Sequence, residues 1–339
     1  MRAALTALAI ALLGTAGFGD TATAQDAPCV NDAPNPYHLV NGWAQTPRAW
    51  APTNNVYVDA KDDVWVMDRC DDKGCLDSTN SPIWELSADG KVMKNFGAGQ
   101  FAFPHTVKPD AQGNIWAIDG DARGGKGNQV FKFSPDGKVL LTLGKAGQAG
   151  TGTDVFDRPT GIAFAPNGDI FISEGHAPGF GNSRIMKFDS KGKFIKSFGH
   201  LGSGDGELKG PHVLAFDSQG RLFVADRSNS RVAIFNQDGK FLAAWKQFGR
   251  PSGIFIDRND VLYVSDSESE SAPGKDTNNP GCKRGIRVGS AKTGKVDYYI
   301  PPPVTDPKFP PPEGVAADSH GNIYAAAVPA RSVYKYVKD

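Results

Sequence analysis

A surplus of charge of either sign is the first thing this sequence lacks: Lys+Arg and Asp+Glu both number 37. With no net field and no basic stripe, nothing gathers nucleic acid or an anionic membrane surface. Cysteine is scarce too, at four residues in 339, so a cysteine-dense miniature scaffold is excluded. The spacings of Cys29, Cys70, Cys75 and Cys282 match no zinc-binding pattern. Long apolar runs are absent beyond the first residues, MRAALTALAIALLGTAGFGDTATAQDA. There Arg2, the apolar stretch Leu5 to Leu13 and Ala22-Thr23-Ala24 read as a secretory signal peptide over residues 1–24, cut after Ala24. That stretch is too short to cross a bilayer, so no membrane span is expected. The remaining chain, 25–339, is read as a secreted or periplasmic protein with disulfides. The loop CDDKGC closes on itself through Cys70 and Cys75, leaving Cys29 and Cys282 to tie the N-terminal arm to a distant loop.

What is plentiful is turn chemistry: 40 glycines and 24 prolines beside 22% charged residues suit many short strands. One unit recurs: VYVDAKDDVWVMD (56–68), TVKPDAQGNIWAID (106–119), GIAFAPNGDIFISE (161–174), VLAFDSQGRLFVAD (213–226), GIFIDRNDVLYVSD (253–266) and GVAADSHGNIYAAA (314–327). Each is an apolar strand, an Asp/Asn/Gly turn and a second strand. Most are followed by two more strands, as in VFKFSPDGKVLLTLG, at a period of about 40–60 residues that marks propeller blades. The last copy ends after a third strand, SVYKYVKD, so PYHLVNGWA (36–44) is expected to supply the fourth. The fold expected is all-β: a single six-bladed β-propeller domain over 25–339, closed by an N-terminal strand.

The residue before each inner strand faces the mouth of the central channel. In order these are Asn54, His105, Thr160, His212, Ser252 and Glu313. Alternate blades therefore bring His105, His212 and Glu313 around one axis at about 120° spacing, with small neutral residues between. Two imidazoles and a carboxylate make a three-ligand metal set with an open position, zinc by preference and non-haem iron as the alternative. The other reading is that each Pro-His only caps a turn. At the far end of the hairpins Arg69 and Arg227 reach the same face; they either hold a substrate carbonyl or carboxylate or pair with Asp68 and Asp226. Two insertions overhang that face, GHAPGFGNS (175–183) and SESESAPGKDTNNPGCKR (267–284), and the Glu268-Ser269-Glu270 run reads as solvated surface.

The segments FPHTVKPDAQGNIWAID, GNSRIMKFDSKGKFIKSFG and GPHVLAFDSQGRLFVADRSNSRV resemble those of peptidyl-α-hydroxyglycine α-amidating lyases, secreted NHL-repeat propellers. The resemblance implies a zinc ion held by three histidines on alternate blades, of which His105 and His212 match two. It also implies two substrate-contacting arginines at the places of Arg69 and Arg227. The third histidine lies in a Pro-His-Asp segment, which here reads Pro312-Glu313-Gly314; Gly314 also removes an aspartate ligand of the family's structural calcium. The catalytic tyrosine of a DGYCNSR-like segment is replaced in EGHAPGFGNSR, where His176 is the natural substitute as acid or base. The implied activity is a metal-dependent lyase cleaving a carbinolamide C–N bond of a small or peptide substrate, to an amide and an aldehyde. A lactonase-like metal-dependent hydrolase and a non-enzymatic propeller that binds ligand or protein stand as alternatives. The protein is expected to act as a monomer.

Overall fold

Strict alternation between tight Asp/Asn/Gly turns and short apolar runs leaves each segment long enough for one strand and too short for a helix. The computed structural model describes residues 27–177, 179–270, 278–303 and 312–339. The signal-peptide region therefore lies outside the described residues. The described residues form six four-stranded antiparallel sheets, the blades of a β-propeller.

Blade one holds β2 (Thr53–Val58), β3 (Val64–Asp68), β4 (Ile83–Leu86) and β5 (Val92–Phe96). Blade two holds β6 (Pro104–Pro109), β7 (Ile115–Asp119), β8 (Gln129–Phe133) and β9 (Val139–Leu143). Blade three is β10 (Pro159–Phe164), β11 (Ile170–Glu174), β12 (Arg184–Phe188) and β13 (Phe194–Phe198). Blade four is β14 (Pro211–Phe216), β15 (Leu222–Asp226), β16 (Arg231–Phe235) and β17 (Phe241–Trp245). In blade five, β18 (Pro251–Ile256) and β19 (Val261–Asp266) are followed by β20 (Gly285–Ser290) and β21 (Val296–Ile300). Blade six has three late strands, β22 (Gly314–Ala317), β23 (Ile323–Ala327) and β24 (Ser332–Lys338). Its outer strand is β1 (Tyr37–Val40), paired antiparallel from Tyr37↔Lys338 to Val40↔Lys335. The ring closes as the sequence predicts.

The core is partitioned by seam. Each of six apolar clusters joins two neighbouring blades, as where Val56, Val66 and Trp84 meet Ala316, Tyr324 and Ala326. Second strands such as β7 and β15 are buried throughout, whereas outer strands such as β5 are mostly exposed. Stability thus depends on face-to-face packing around the ring, and the inner ends of the blades are held rigidly. Cys29–Cys282 and Cys70–Cys75 are both bonded. No helix among the described residues is long and apolar enough to cross a membrane.

Candidate metal centre

Five inner strands begin with a β-bulge, and the bulge falls on the residues that the repeat aligns. The ladder skips from Thr53 to Asn55, Pro104 to Thr106, Pro159 to Gly161, Pro211 to Leu214 and Pro251 to Gly253. Asn54, His105, Thr160, His212 and Ser252 are therefore the residues released from pairing, and a bulge re-aims the side chain it frees. In blade six Glu313 takes this place just ahead of β22, its amide donating to the Ala326 carbonyl at 2.7 Å.

The bulged residues reach around the ring. His105 Nδ1 lies 2.8 Å from the Thr160 carbonyl, Thr160 Oγ1 donates to the Pro211 carbonyl at 2.8 Å, and His212 Nδ1 lies 2.6 Å from the Ser252 carbonyl. Close approach of the blades here depends on glycine. A Cβ on Gly161 would stand 2.8 Å from the His212 carbonyl oxygen, and one on Gly253 would stand 2.6 Å from that of Glu313.

A carbonyl oxygen only accepts, so Nδ1 of both histidines carries the proton and Nε2 presents a lone pair. His105 Nε2 and His212 Nε2 are both buried without a hydrogen-bond partner among the described residues. Glu313 Oε1 nevertheless lies 3.2 Å from His212 Nε2, an ion-pair distance without hydrogen-bond geometry. Two acceptors facing each other at that range call for a proton or a cation between them.

His176 joins them. The histidines at 105, 176 and 212 each offer a nitrogen within 4.8 Å of the others, and the His105 and His212 ring centroids are 4.7 Å apart. The loop that delivers His176 turns at Gly175, whose φ of +124° and 2.5 Å Cβ approach to the Phe180 carbonyl exclude any side chain. Phe180 is anchored in turn, its ring closing over Gly210. His176 Nδ1 lies 2.7 Å from the Ala177 carbonyl, and its Nε2 accepts from Arg227 Nη2 at 3.2 Å.

Burial, reinforced by the neighbouring imidazoles, holds His105 well below the ordinary imidazole range. Burial and then the Arg227 charge also lower His212, and hold His176 at about 3. All three rings are neutral at pH 7, the protonation state a metal ligand needs. Burial pushes the Glu313 carboxyl up, while the Arg69 and Arg227 guanidinium charges pull it back toward the ionised form. The donor set of three neutral imidazoles at 105, 176 and 212 fits a divalent cation, whereas Glu313, placed 3.2 Å from His212 Nε2, is not among the groups that lie within 4.8 Å of one another.

Neither arginine pairs with its preceding aspartate. Asp68 is taken by Arg48 at 2.8 Å and Asp226 by Arg231 at 2.7 Å. The Arg69 guanidinium lies over the Phe103 ring at 4.1 Å, and its buried Nε has no partner among the described residues. Arg227 Nη1 meets Glu268 Oε1 at 3.4 Å, while Glu268 Oε2 binds Arg250 at 2.8 Å. This corrects the reading of Glu268-Ser269-Glu270 as solvated surface: Glu268 turns inward to clamp two arginines, and Ser269 is fully buried. Residues 271–277 of that insertion lie outside the described residues. Sequence reasoning also missed the acids closing the second strands. Asp119 accepts from the Ala102 and Phe103 amides, Asp226 from Lys209 and Asp266 from Arg250, fixing the chain just ahead of the inner strands. Their signal was present in the aligned copies, as the acid ending every unit but the last.

The NHL repeat model matches residues 208–235, the hairpin that carries His212 and Arg227. The chain is 31% identical over 264 residues to the peptidyl-glycine alpha-amidating monooxygenase B of Xenopus laevis, covering 73% of this chain and 27% of that protein. It is 30% identical over 212 residues to the peptidyl-alpha-hydroxyglycine alpha-amidating lyase 2 of Drosophila melanogaster, covering 57% and 50%. It therefore spans about a quarter of the first relative's length and half of the second's. Among solved structures, virginiamycin B lyase from Staphylococcus aureus superposes with a TM-score of 0.57 at 16% identity, over 89% of this chain and 99% of that one. At such identity that likeness speaks for the fold alone. Blade count, repeat match and sequence likeness agree: the chain is a six-bladed NHL-repeat β-propeller resembling the peptidyl-α-hydroxyglycine α-amidating lyases.

Proposed function

We propose that this protein is a secreted or periplasmic, metal-dependent lyase acting at the histidine pole of the propeller on a small or peptide carbinolamide, or on a similar C–O-linked substrate. The observation that carries the reading is the pair of buried Nε2 lone pairs on His105 and His212 with no donor among the described residues to satisfy them. In this reading His105, His212 and Glu313 hold a divalent ion, zinc foremost and iron as the alternative. When bound, such an ion supplies Lewis-acid polarisation of a substrate oxygen. The calcium implied by the family resemblance is not part of the proposal, because Gly314 offers no carboxylate.

The remaining steps belong to the chain's own side chains. Arg69 lacks an ion pair among the described residues and is free to bind a substrate carboxylate bidentately. His176, neutral and already aligned through Ala177, accepts the hydroxyl proton at Nε2 when Arg227 turns from it toward the substrate. The carbon–nitrogen bond breaks as the carbonyl forms, and the nitrogen leaves as the amide with the proton that His176 took from the hydroxyl. Walls formed by rigid inner strands hold these groups in register. A second reading, favoured by the mutual 4.8 Å spacing of the three imidazoles, makes His176 the third ligand and Glu313 the base.

The test is elemental analysis of purified protein together with turnover of an N-acyl-α-hydroxyglycine, followed as aldehyde release, and of a lactone. Metal in near-stoichiometric amount and chelator-sensitive aldehyde release support the proposal. Lactone turnover alone shifts it to a hydrolase, and a metal-free protein inert on both overturns it. Loss of metal in His176→Ala but not in Glu313→Gln selects the second reading.

A further inference from the structure

A cavity of about 450 Å³ runs along the propeller axis, and it is not the space the histidines face. Segments of all six inner strands line it, from just past the bulges to the turns at the opposite pole, where Asp59, Asp110 and Pro166 surround the opening. None of His105, His176, His212, Glu313, Arg69 or Arg227 contributes to its wall.

Most of the wall is apolar, including the rings of Phe164, Phe216 and Phe255. One cation projects among them. Among the described residues Lys108 is the only basic one lining the cavity, and its Nζ sits 5.0 Å above the Tyr57 ring. Among the described residues it has neither a hydrogen bond nor an ion pair. Neither of the two acids at the mouth forms an ion pair with it, and both are hydrogen-bonded within their own turns. Asp59 accepts from the Lys61 and Asp63 amides and from the Trp65 indole. Asp110 accepts from the Gln112 and Asn114 amides and the Trp116 indole, and pairs with Lys132 at 3.1 Å.

A half-buried ammonium that faces apolar walls without a counter-charge is costly, and such a group in a cavity marks a place where a ligand can supply the missing charge. We propose that the axial cavity binds a small aromatic monocarboxylate, with Lys108 holding the carboxylate and the phenylalanine rings and Tyr57 enclosing its body. One point charge without an arginine fork or a helix terminus suits a monoanion better than a phosphate. Burial lowers the Lys108 ammonium to about 8, so it is still mainly charged at pH 7, and burial raises the Tyr57 phenol to about 12, leaving it a donor. This site is independent of the lyase proposal.

Isothermal titration of the full protein with benzoate, benzamide and inorganic phosphate tests the assignment, with variants Lys108→Met, Lys108→Arg and His105→Ala. Saturable benzoate binding is expected, weakened by about tenfold or more in Lys108→Met and for the neutral benzamide, since a charge-assisted bond is lost in each. Lys108→Arg and His105→Ala should bind benzoate like the parent, the latter separating this cavity from the histidine pole. Absence of saturable benzoate binding, equal affinity for benzamide, tighter binding of phosphate, or full benzoate affinity in a folded Lys108→Met protein would each overturn the proposal.

Discussion

Gly253→Ala tests the link between blade packing and the metal centre. The added methyl would stand 2.6 Å from both the Glu313 carbonyl oxygen and Ser265 Oγ, and 3.0 Å from the Val315 nitrogen. An ordinary carbon–oxygen contact is about 3.3 Å, so the seam between blades five and six must open by about 0.7 Å. Overpacking of this kind costs about 1–3 kcal/mol, and each kcal/mol lowers Tm by about 1.5 °C in a chain of this size. The seam moved is the one that brings Glu313 to 3.2 Å from His212 Nε2. Loss of that register should weaken metal binding by about tenfold or more, as other disturbances of ligand orientation do. The assay pairs calorimetric Tm with metal affinity by chelator competition. The control is Ile234→Val in the core between blades four and five, where removing a methylene costs about 0.5–1.5 kcal/mol without touching the site. A Gly253→Ala protein with unchanged Tm, or with no greater loss of metal affinity than Ile234→Val, would refute the reasoning.

Four further outcomes are expected. Replacing either His105 or His212 by alanine should remove the metal from purified protein while leaving far-ultraviolet circular dichroism unchanged. Arg69→Met should reduce kcat/KM for a carboxylate-bearing substrate by about tenfold or more through loss of a charge-assisted contact, with little change in Tm because no ion pair is broken. In chelator-treated protein, stability should fall as pH drops below about 6.5, because unfolded His176 takes up a proton that the native site refuses until about pH 3. His176→Gln should flatten that dependence by up to about 1.4 kcal/mol per pH unit over the same window, measured by urea titration. Cys29→Ser with Cys282→Ser should cost roughly 2–5 kcal/mol, because this bond closes a loop spanning 253 positions.

The fold was legible because each copy of the repeat carries its own turn, and because the missing outer strand of the sixth copy had one candidate, Tyr37–Val40. The pole was legible for a related reason: rotational repetition places aligned residues such as His105 and His212 together. The bulges were not, because an extra residue at Thr53–Asn55 or Pro104–Thr106 leaves the alternation on either side intact. His176 was noticed, but its place among the imidazoles depends on Gly175, Phe180 and Gly210 meeting in three dimensions, which no spacing encodes. Glu268 was misjudged because acidic loop residues usually face water, and only the convergence of Arg227 and Arg250 turns this one inward.

The pairing of Tyr37–Val40 with Ser332–Lys338 sets a timetable for biogenesis. The segment made early waits, through the making of five complete blades, for the strand that completes its sheet. Until then the nascent ring has two raw ends, and a second nascent chain can capture either one. The bond between Cys29 and Cys282 can be sealed only once blade five has been delivered beside the N-terminal arm. Oxidation that comes too early would find Cys29 with no distant partner and leave Cys70 or Cys75 as the wrong one. Late closure therefore ties completion of the ring to the order of delivery and oxidation.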